Sequence, residues 1–546
     1  MENQSGLIAF IKKYAGINFK QFYLALFLTV FASLNALLFS STLKGLVDGF
    51  LNGNRAGLPI ALPITLLVLD LVTGVISYYM LGNVANQAVR HIREKLWQRY
   101  NYFSYKNLNE NSSGVLASRL VNDTNLIYEV LSSSMPQLIT GLITIVGSFA
   151  MLVYLNAKLT LTLIILIPIL AFLVATISRK ISGYFSQTQK LTADANQMAV
   201  SILQSDIVIK SYGAEPKTTQ LGDQIFDKIY RVAQKQLRLI ALLNPLVNII
   251  MMMALFAIIG LGGLSIANKS MTVGALVAYV MYTFQLISPI SSLTGNYTNM
   301  AKVRDVIKNL DRLFNLPIET ARPDQIDIKE IESVEIDDGS FSYPSGQGLY
   351  IPHLKISAGE LVRLRGKNGS GKSTILKILS GMYDLNRGHF YINGIDRNEV
   401  DIFTFRKHLA FVDQNSSLLP GTIRDNLLLG FDQPNQVPDA DIWDALHKVK
   451  MDWFVQDLPN QLDTEVAENG DNFSGGQRQR LAIARALIAD CDFYFFDEIT
   501  SDLDAQTKEI IMSLMAYLHQ DRHKTVVYID HDDLTIPGER TVTVNT

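Results

Sequence analysis

The sequence predicts an α-helical transmembrane domain, six spans with long cytoplasmic extensions, followed by a soluble α/β domain of the P-loop type. Three observations predict it. Almost all the long apolar runs lie before about residue 300, although the chain as a whole is 48% apolar and 18% charged. From about Asp337 onward, dense charge and Gly/Asp/Asn turns take over. Within that second half, GELVRLRGKNGSGKSTILKIL reads as strand, glycine loop, helix. At 546 residues the chain is also too long for one ordinary domain.

The bulk numbers remove several classes of function. A formal net charge of −3 carries no global basic field, so no nucleic acid partner is expected. The single cysteine, Cys491, permits no disulfide within the chain and reads as a plain buried residue. The N-terminus lacks the charged, apolar and cleavage regions of a signal peptide. Leu7, Ile8, Phe10, Ile11 and Tyr14 recur at helical spacing instead, as in a short helix lying on a membrane surface.

A bilayer core requires about 20 mostly apolar residues per helix. Gln21–Leu46, Pro59–Leu81, Pro136–Tyr154, Leu159–Ile177, Leu239–Ile266 and Val273–Ser292 qualify. Three of the connections are short and two are long, about 82–135 and 178–238. The long ones are polar, helix-patterned and rich in Lys and Arg. The positive-inside bias therefore places them, and both termini, in the cytoplasm of a cell-membrane protein. Each long connection contains a turn, at NENSSGVLASRLVNDTN and at IKSYGAEPKTTQ, so each reads as a pair of projecting helices.

In the second half, the GxxxxGK[ST] pattern assigns work to each residue. Gly366, Gly369 and Gly371, with Asn368 between them, let backbone N–H groups wrap the phosphates of ATP. Lys372 supplies a point charge, and the Ser373 hydroxyl, followed by Thr374, faces Mg²⁺. DFYFFDE is a buried strand ending in two carboxylates, with Asp497 suited to Mg²⁺ and Glu498 to polarising the attacking water. FSGGQRQRLAIARAL supplies a second anion site, at a helix N-terminus.

With these motifs together, the chain resembles the ABC transporters of the exporter type over essentially its whole length. The resemblance implies a transmembrane domain with coupling helices over 1–319, a linker over 320–335 and a nucleotide-binding domain over 336–546. It also explains the second anion site. In this family FSGGQ, here Ser474, Gly475, Gly476 and Gln477, binds the γ-phosphate of an ATP held by the phosphate loop of the other subunit. A second half-transporter chain is therefore implied, with a homodimer the simpler reading because the motif set is complete. Tyr343 matches the aromatic that stacks on adenine, and Gln414 the glutamine that contacts Mg²⁺. Asp504 matches the loop that crosses the dimer interface, and His531 the switch histidine. Ser113–Arg119 and Ser211–Glu215 fall where the family places its coupling helices.

The chain departs from the family's usual residues at Asp502, Asp413 and Asp532. Asp530, Asp532 and Asp533 would favour protonated His531 if they faced it. Arg363 and Arg365 stand in a parallel strand that is normally apolar, which puts the burial of that strand's end in question. The implied activity is ATP hydrolysis driving alternating access in a lipid bilayer, exporting a peptide, lipid or other amphipathic compound. The alternatives are an importer on the same scaffold, as in siderophore uptake, and one half of a heterodimer. The transported substrate is not specified. Asp70, inside the second span, and Asn244 and Asn248, on the fifth, are the candidate substrate contacts.

Overall fold

The computed structural model describes residues 7–52, 60–343, 346, 348–500, 505–530 and 535–544. The chain divides into two compact units, Met1–Leu96 with Ala117–Leu313, and Trp97–Leu116 with Phe314–Thr546.

Among the described residues, the first unit is built of helices and their short connections. Five helices among the described residues are long and apolar enough to cross a membrane: Phe19–Leu51, Ala61–Asn101, Ser113–Leu155, Asn248–Ala267 and Val273–Ile290. The fourth expected span falls within helix Ala157–Leu203, where the side chains of 162–171 lie outside the described residues. Much of the apolar side-chain surface of these helices, such as Phe27, Leu71 and Phe256, is exposed. That is the pattern expected where lipid, not protein, covers it.

Polar side chains join these helices. Asp48 accepts from Thr272 Oγ1 at 2.7 Å and from the Gly274 N–H at 2.8 Å, capping the helix that starts at Val273. A Cβ at Gly274 would lie 2.3 Å from the Lys44 carbonyl, so only glycine lets the two backbones approach. Tyr279 and Tyr282 are fully buried, and their hydroxyls donate to Thr160 Oγ1 and to the Leu37 carbonyl.

The N-terminal segment departs from expectation. Phe10, Ile11, Tyr14 and Ala15 are buried, and Tyr14 Oη donates to Asp311 Oδ1 at 3.4 Å. Its apolar side is thus covered largely by protein. The first hairpin tip also differs from expectation by a few residues, whereas the break of the second falls within the expected 211–215. The first carries a short helix at Tyr105–Glu110, and Ser113–Ser118 already belongs to the return helix. The second carries Asp206–Ser211, after which Gly213 takes a left-handed φ of 58° and Pro216 opens the helix Glu215–Ala267.

The second unit carries the strands β1 (Ser333–Ser342), β2 (Gly348–Ser357), β3 (Leu361–Arg365), β4 (Arg387–Ile392), β5 (Ile395–Asp396), β6 (Leu409–Val412), β7 (Gly421–Thr422), β8 (Glu465–Val466), β9 (Phe493–Asp497), β10 (Thr525–Ile529) and β11 (Arg540–Thr543). An antiparallel sheet runs β2-β1-β4-β5, and a parallel sheet runs β11-β3-β10-β9-β6. β9 and β10 are buried along their whole length, as apolar strands in a two-sided parallel sheet should be.

Side chains alternate between two cores. Val362, Leu364, Phe493, Phe495, Val527 and Ile529 face one core with the helix Lys372–Leu379. Leu361, Tyr494, Phe496, Val526 and Tyr528 face the other, with the helices Gly475–Ile488 and Ala505–Gln520. The carboxyl ends of β3, β9 and β10 thereby converge on one edge, where a ligand site of an open α/β sheet belongs.

Candidate functional site

β3 delivers the chain into the glycine loop. A Cβ at Gly366 would meet Ser370 Oγ at 2.6 Å and the Val544 carbonyl at 2.7 Å. Gly369 and Gly371 take φ of 79° and 92°, a conformation that side chains disfavour. The loop then opens the helix Lys372–Leu379. Lys372 is buried, and its Nζ donates to the carbonyls of Gly366 and Lys367, both at 3.1 Å. The ammonium is thus held over the loop, at the positive end of the helix dipole.

A cavity of about 490 Å³ opens over this loop, lined by Asn368 through Thr374, with Tyr343 and Glu498 also on its wall. The Tyr343 hydroxyl hydrogen-bonds Thr374 Oγ1 at 3.0 Å. Its ring meets Phe341 and Tyr383 edge-on, with centroids 4.9 and 5.7 Å away. Tyr383 in turn packs on Tyr105 at 5.1 Å and accepts from Asn109 Nδ2 at 2.7 Å. The aromatic wall is therefore continuous with the short helix Tyr105–Glu110, a link that no local sequence pattern announced.

Two carboxylates close the site. Asp497 ends β9, is buried, and accepts from Ser373 Oγ at 2.8 Å. Burial pushes its carboxyl above the usual range, and the Ser373 hydrogen bond only partly opposes that. Glu498 lies one residue beyond the strand, with φ of 52°, a conformation sparsely populated by non-glycine residues and often found at functional sites. Its Oε2 accepts from Gln414 Nε2 at 3.1 Å. Strand alternation alone would send Glu498 to the far face, but the left-handed residue turns it toward Gln414 and the loop.

Beyond Glu498 the chain is tied on two sides. Gln479 Nε2 donates to the Ile499 carbonyl, and Thr500 Oγ1 donates to Asp530 Oδ1 at 2.6 Å. The second anion site is formed as a helix cap. Ser474 caps Gly475–Ile488, and a capping box joins it to Gln477 through Ser474 N–H to Oε1 at 2.8 Å and Gln477 N–H to Oγ at 3.3 Å. None of Ser474, Gly475, Gly476 or Gln477 lines the cavity over the phosphate loop. Within the described residues, a Cβ at Gly475 would meet nothing closer than Arg478 Nη2 at 4.0 Å.

Other expected residues are placed less informatively. His531 and Asp504, with Asp502, Asp532 and Asp533, lie outside the described residues, as does the side chain of Asn244. Asp70 is half-buried on helix Ala61–Asn101, and Asn248 is exposed on helix Glu215–Ala267. Among the described residues, no hydrogen bond joins Asp70 to Asn248.

The arginines of β3 answer the question of its burial. Arg363 is 1% exposed and the strand is buried through Leu364, with only Arg365 reaching solvent. Asp530 is engaged with Thr500 and Arg363. Burial holds the Arg485 guanidinium below its usual range, and the charge of Asp413, where the family usually has Pro, only partly opposes that.

A phosphate loop, a strand-end acid with a serine beside it, a glutamate held by a glutamine, and membrane-length helices define a membrane-bound P-loop ATPase. The comparisons with known proteins narrow that class. Residues 22–290 match the model of the ABC transporter transmembrane region, and 350–501 match that of the ABC transporter. The chain is 29% identical, over 83% of its length and 76% of the relative's, to the multidrug resistance ABC transporter ATP-binding and permease protein of Lactococcus lactis subsp. cremoris. It is 27% identical, over 85% of its length and 80% of the relative's, to the ATP-dependent lipid A-core flippase of Vibrio cholerae. A bacterial Atm1-family ABC exporter solved with ATP bound shares its fold, with a TM-score of 0.77 and 24% identity, over 96% of this chain and 93% of that one. The chain belongs to the ABC transporters of the exporter type and is an ATP hydrolase coupled to transport.

Proposed function

We propose that this chain exports an amphipathic compound as a homodimer, by alternating access, with two ATP molecules sandwiched between its nucleotide-binding domains. One observation carries the reading. The Ser474 cap is formed, yet it lines no part of the phosphate-loop cavity of its own chain. Gly475, with no neighbour among the described residues to require a glycine, suits the approach of a phosphate from a second chain.

In this reading Gly366 to Thr374 cradle the phosphates, Tyr343 stacks on adenine, and Ser474 to Gln477 of the other chain meet the γ-phosphate. Glu498, with its carboxylate held by Gln414, accepts a proton from the attacking water as that water attacks the γ-phosphorus and the bond from that phosphorus to the bridging oxygen of ADP breaks, leaving ADP and phosphate. His531 takes the part of the switch histidine and Asp504 that of the interface loop.

Ser373, Asp497 and Gln414 are hard oxygen donors of the kind Mg²⁺ takes, and the Ser373–Asp497 contact at 2.8 Å brings two of them together. When bound, Mg²⁺ would neutralise charge developing on the phosphate oxygens. Closure of the ATPase domains would reach the spans through the hairpins tipped by Tyr105–Glu110 and Asp206–Ser211. ATP must bind the closed state more tightly than the open one for this to work.

The relatives named for multidrug resistance and for lipid A-core support an amphipathic substrate, with Asp70, Asn244 and Asn248 as candidate contacts. The ATPase domain and both termini are assigned to the cytoplasm. ATP turnover by the chain purified alone in lipid, beside Glu498→Gln, tests the reading. Turnover that falls by about 10²–10⁴-fold in the variant supports it. Equal turnover in both removes Glu498 from its role, and none in either removes the self-sufficient homodimer.

A further inference from the structure

Arg363 is among the largest fully buried side chains of the molecule, and nothing in the ATP chemistry above uses it. It stands on the central parallel sheet, opposite Tyr528 of β10 on one side and Thr541 of β11 on the other. Strand alternation puts it on the face of Leu361, Val526 and Tyr528, an otherwise apolar core. An arginine in such a place needs compensating partners.

Two partners are the residues that follow β10 and precede β11. Arg363 Nη2 lies 4.0 Å from Asp530 Oδ2 and donates to the Asp530 carbonyl at 3.5 Å. Its Nη1 lies 3.7 Å from Glu539 Oε1. Asp530 directly follows β10 and Glu539 directly precedes β11. Glu539 also accepts from the Tyr528 hydroxyl, and from the Ile536 N–H at 3.1 Å. The guanidinium therefore holds the residue after β10 and the residue before β11. The same Asp530 accepts from Thr500, two residues beyond Glu498. One buried cation is thus linked through Asp530 to the segment that carries Glu498.

We propose that Arg363 is a positioning residue for ATP hydrolysis, which holds Asp530 and, through the bond of Asp530 with Thr500, the segment that carries Glu498. The proposal rests on the assignment of Glu498 given above. It concerns the rate of hydrolysis and not the affinity for ATP, because Arg363 lines no part of the nucleotide cavity.

The test compares Arg363→Met, the triple variant Arg363→Met/Asp530→Ala/Glu539→Gln, and Thr500→Val, all as full chains in lipid. Arg363→Met strands two buried carboxylates, so its loss of turnover alone could reflect folding. The triple variant removes the stranded charge, and Thr500→Val removes only one hydroxyl. The expected result is a fall in kcat of tenfold or more in the triple variant and in Thr500→Val, with the KM for ATP within threefold of wild type. The Tm of the triple variant should lie close to that of the wild type. Wild-type kcat in either the triple variant or Thr500→Val would overturn the proposal, as would a loss confined to KM. Failure of the triple variant to fold would also overturn it, by making the network a structural necessity. Glu498→Gln run in parallel keeps the two readings apart, since full turnover there would unseat Glu498 and leave the Arg363 result standing on its own.

Discussion

Ser373 Oγ donates to Asp497 Oδ1 at 2.8 Å, joining the end of the phosphate loop to the end of β9 across 124 residues of sequence. The buried carboxyl that results is costly to ionise, and that cost has a measurable consequence. A carboxyl whose pKa is raised in the folded chain holds its proton more tightly there than in the unfolded chain. Folding is therefore penalised in full above the folded pKa, and the penalty fades as pH falls through it toward 3.8. Asp497→Asn keeps the acceptor for Ser373 and removes the charge. Its ATPase unit without nucleotide should melt about 2–4 °C higher than wild type at pH 7, as roughly 1 kcal/mol of relief would give. The gain should shrink toward pH 4, and Mg²⁺-dependent turnover should be lost. Calorimetry across pH checks the first part, and a phosphate-release assay the second.

Gln414 is the donor that holds Glu498. Gln414→Ala should lower kcat about tenfold, the scale of a misplaced general base, and leave the KM for ATP nearly unchanged. Steady-state kinetics in lipid separate these two parameters. A change confined to KM would place Gln414 in nucleotide binding instead.

Tyr343 forms one wall of the nucleotide cavity, and its ring is held by Phe341 and Tyr383. Loss of a base-stacking aromatic costs about 1–3 kcal/mol, so Tyr343→Ala should weaken ATP binding by roughly 5–150-fold. Tyr343→Phe keeps the ring and loses only the hydroxyl contact with Thr374, so it should bind within a few-fold of wild type. Titration with a fluorescent ATP analogue reports both.

Cys491 is buried, and burial pushes its thiol up to about 12. At pH 8 the thiolate fraction is therefore negligible, and a maleimide should label the folded chain slowly or not at all. Labelling should become complete in denaturant. Rapid labelling of folded protein would contradict the packing of this part of the core.

Much of the site was legible in the sequence because its residues are dictated by local geometry. Gly369 and Gly371 are required by their own φ angles, and Ser373 and Asp497 by the ends of their own elements. Five of the six expected spans were legible through length and apolar content alone, and the fourth falls largely on side chains outside the described residues. Long-range pairings were not. Arg363 and Asp530 stand 167 residues apart, so two unusual charges, each visible as an oddity, could not be read as partners. Tyr105 and Tyr383 meet only because the short helix Tyr105–Glu110 packs within the second unit, and that helix lies a few residues before the expected turn. The turn of Glu498 toward Gln414 depends on a left-handed backbone at a glutamate, which residue type alone would argue against.

In the proposed homodimer the phosphate loop of one chain meets the Ser474 cap of another. Disulfide trapping tests it most directly, with Asn368→Cys and Ser474→Cys placed together in a Glu498→Gln background. The native Cys491 is buried and contributes little reaction. With Mg-ATP and a mild oxidant, a reducible species at twice the mass of the chain should form, dependent on nucleotide. An intramolecular disulfide at the mass of one chain, or no nucleotide-dependent product at all, would contradict it.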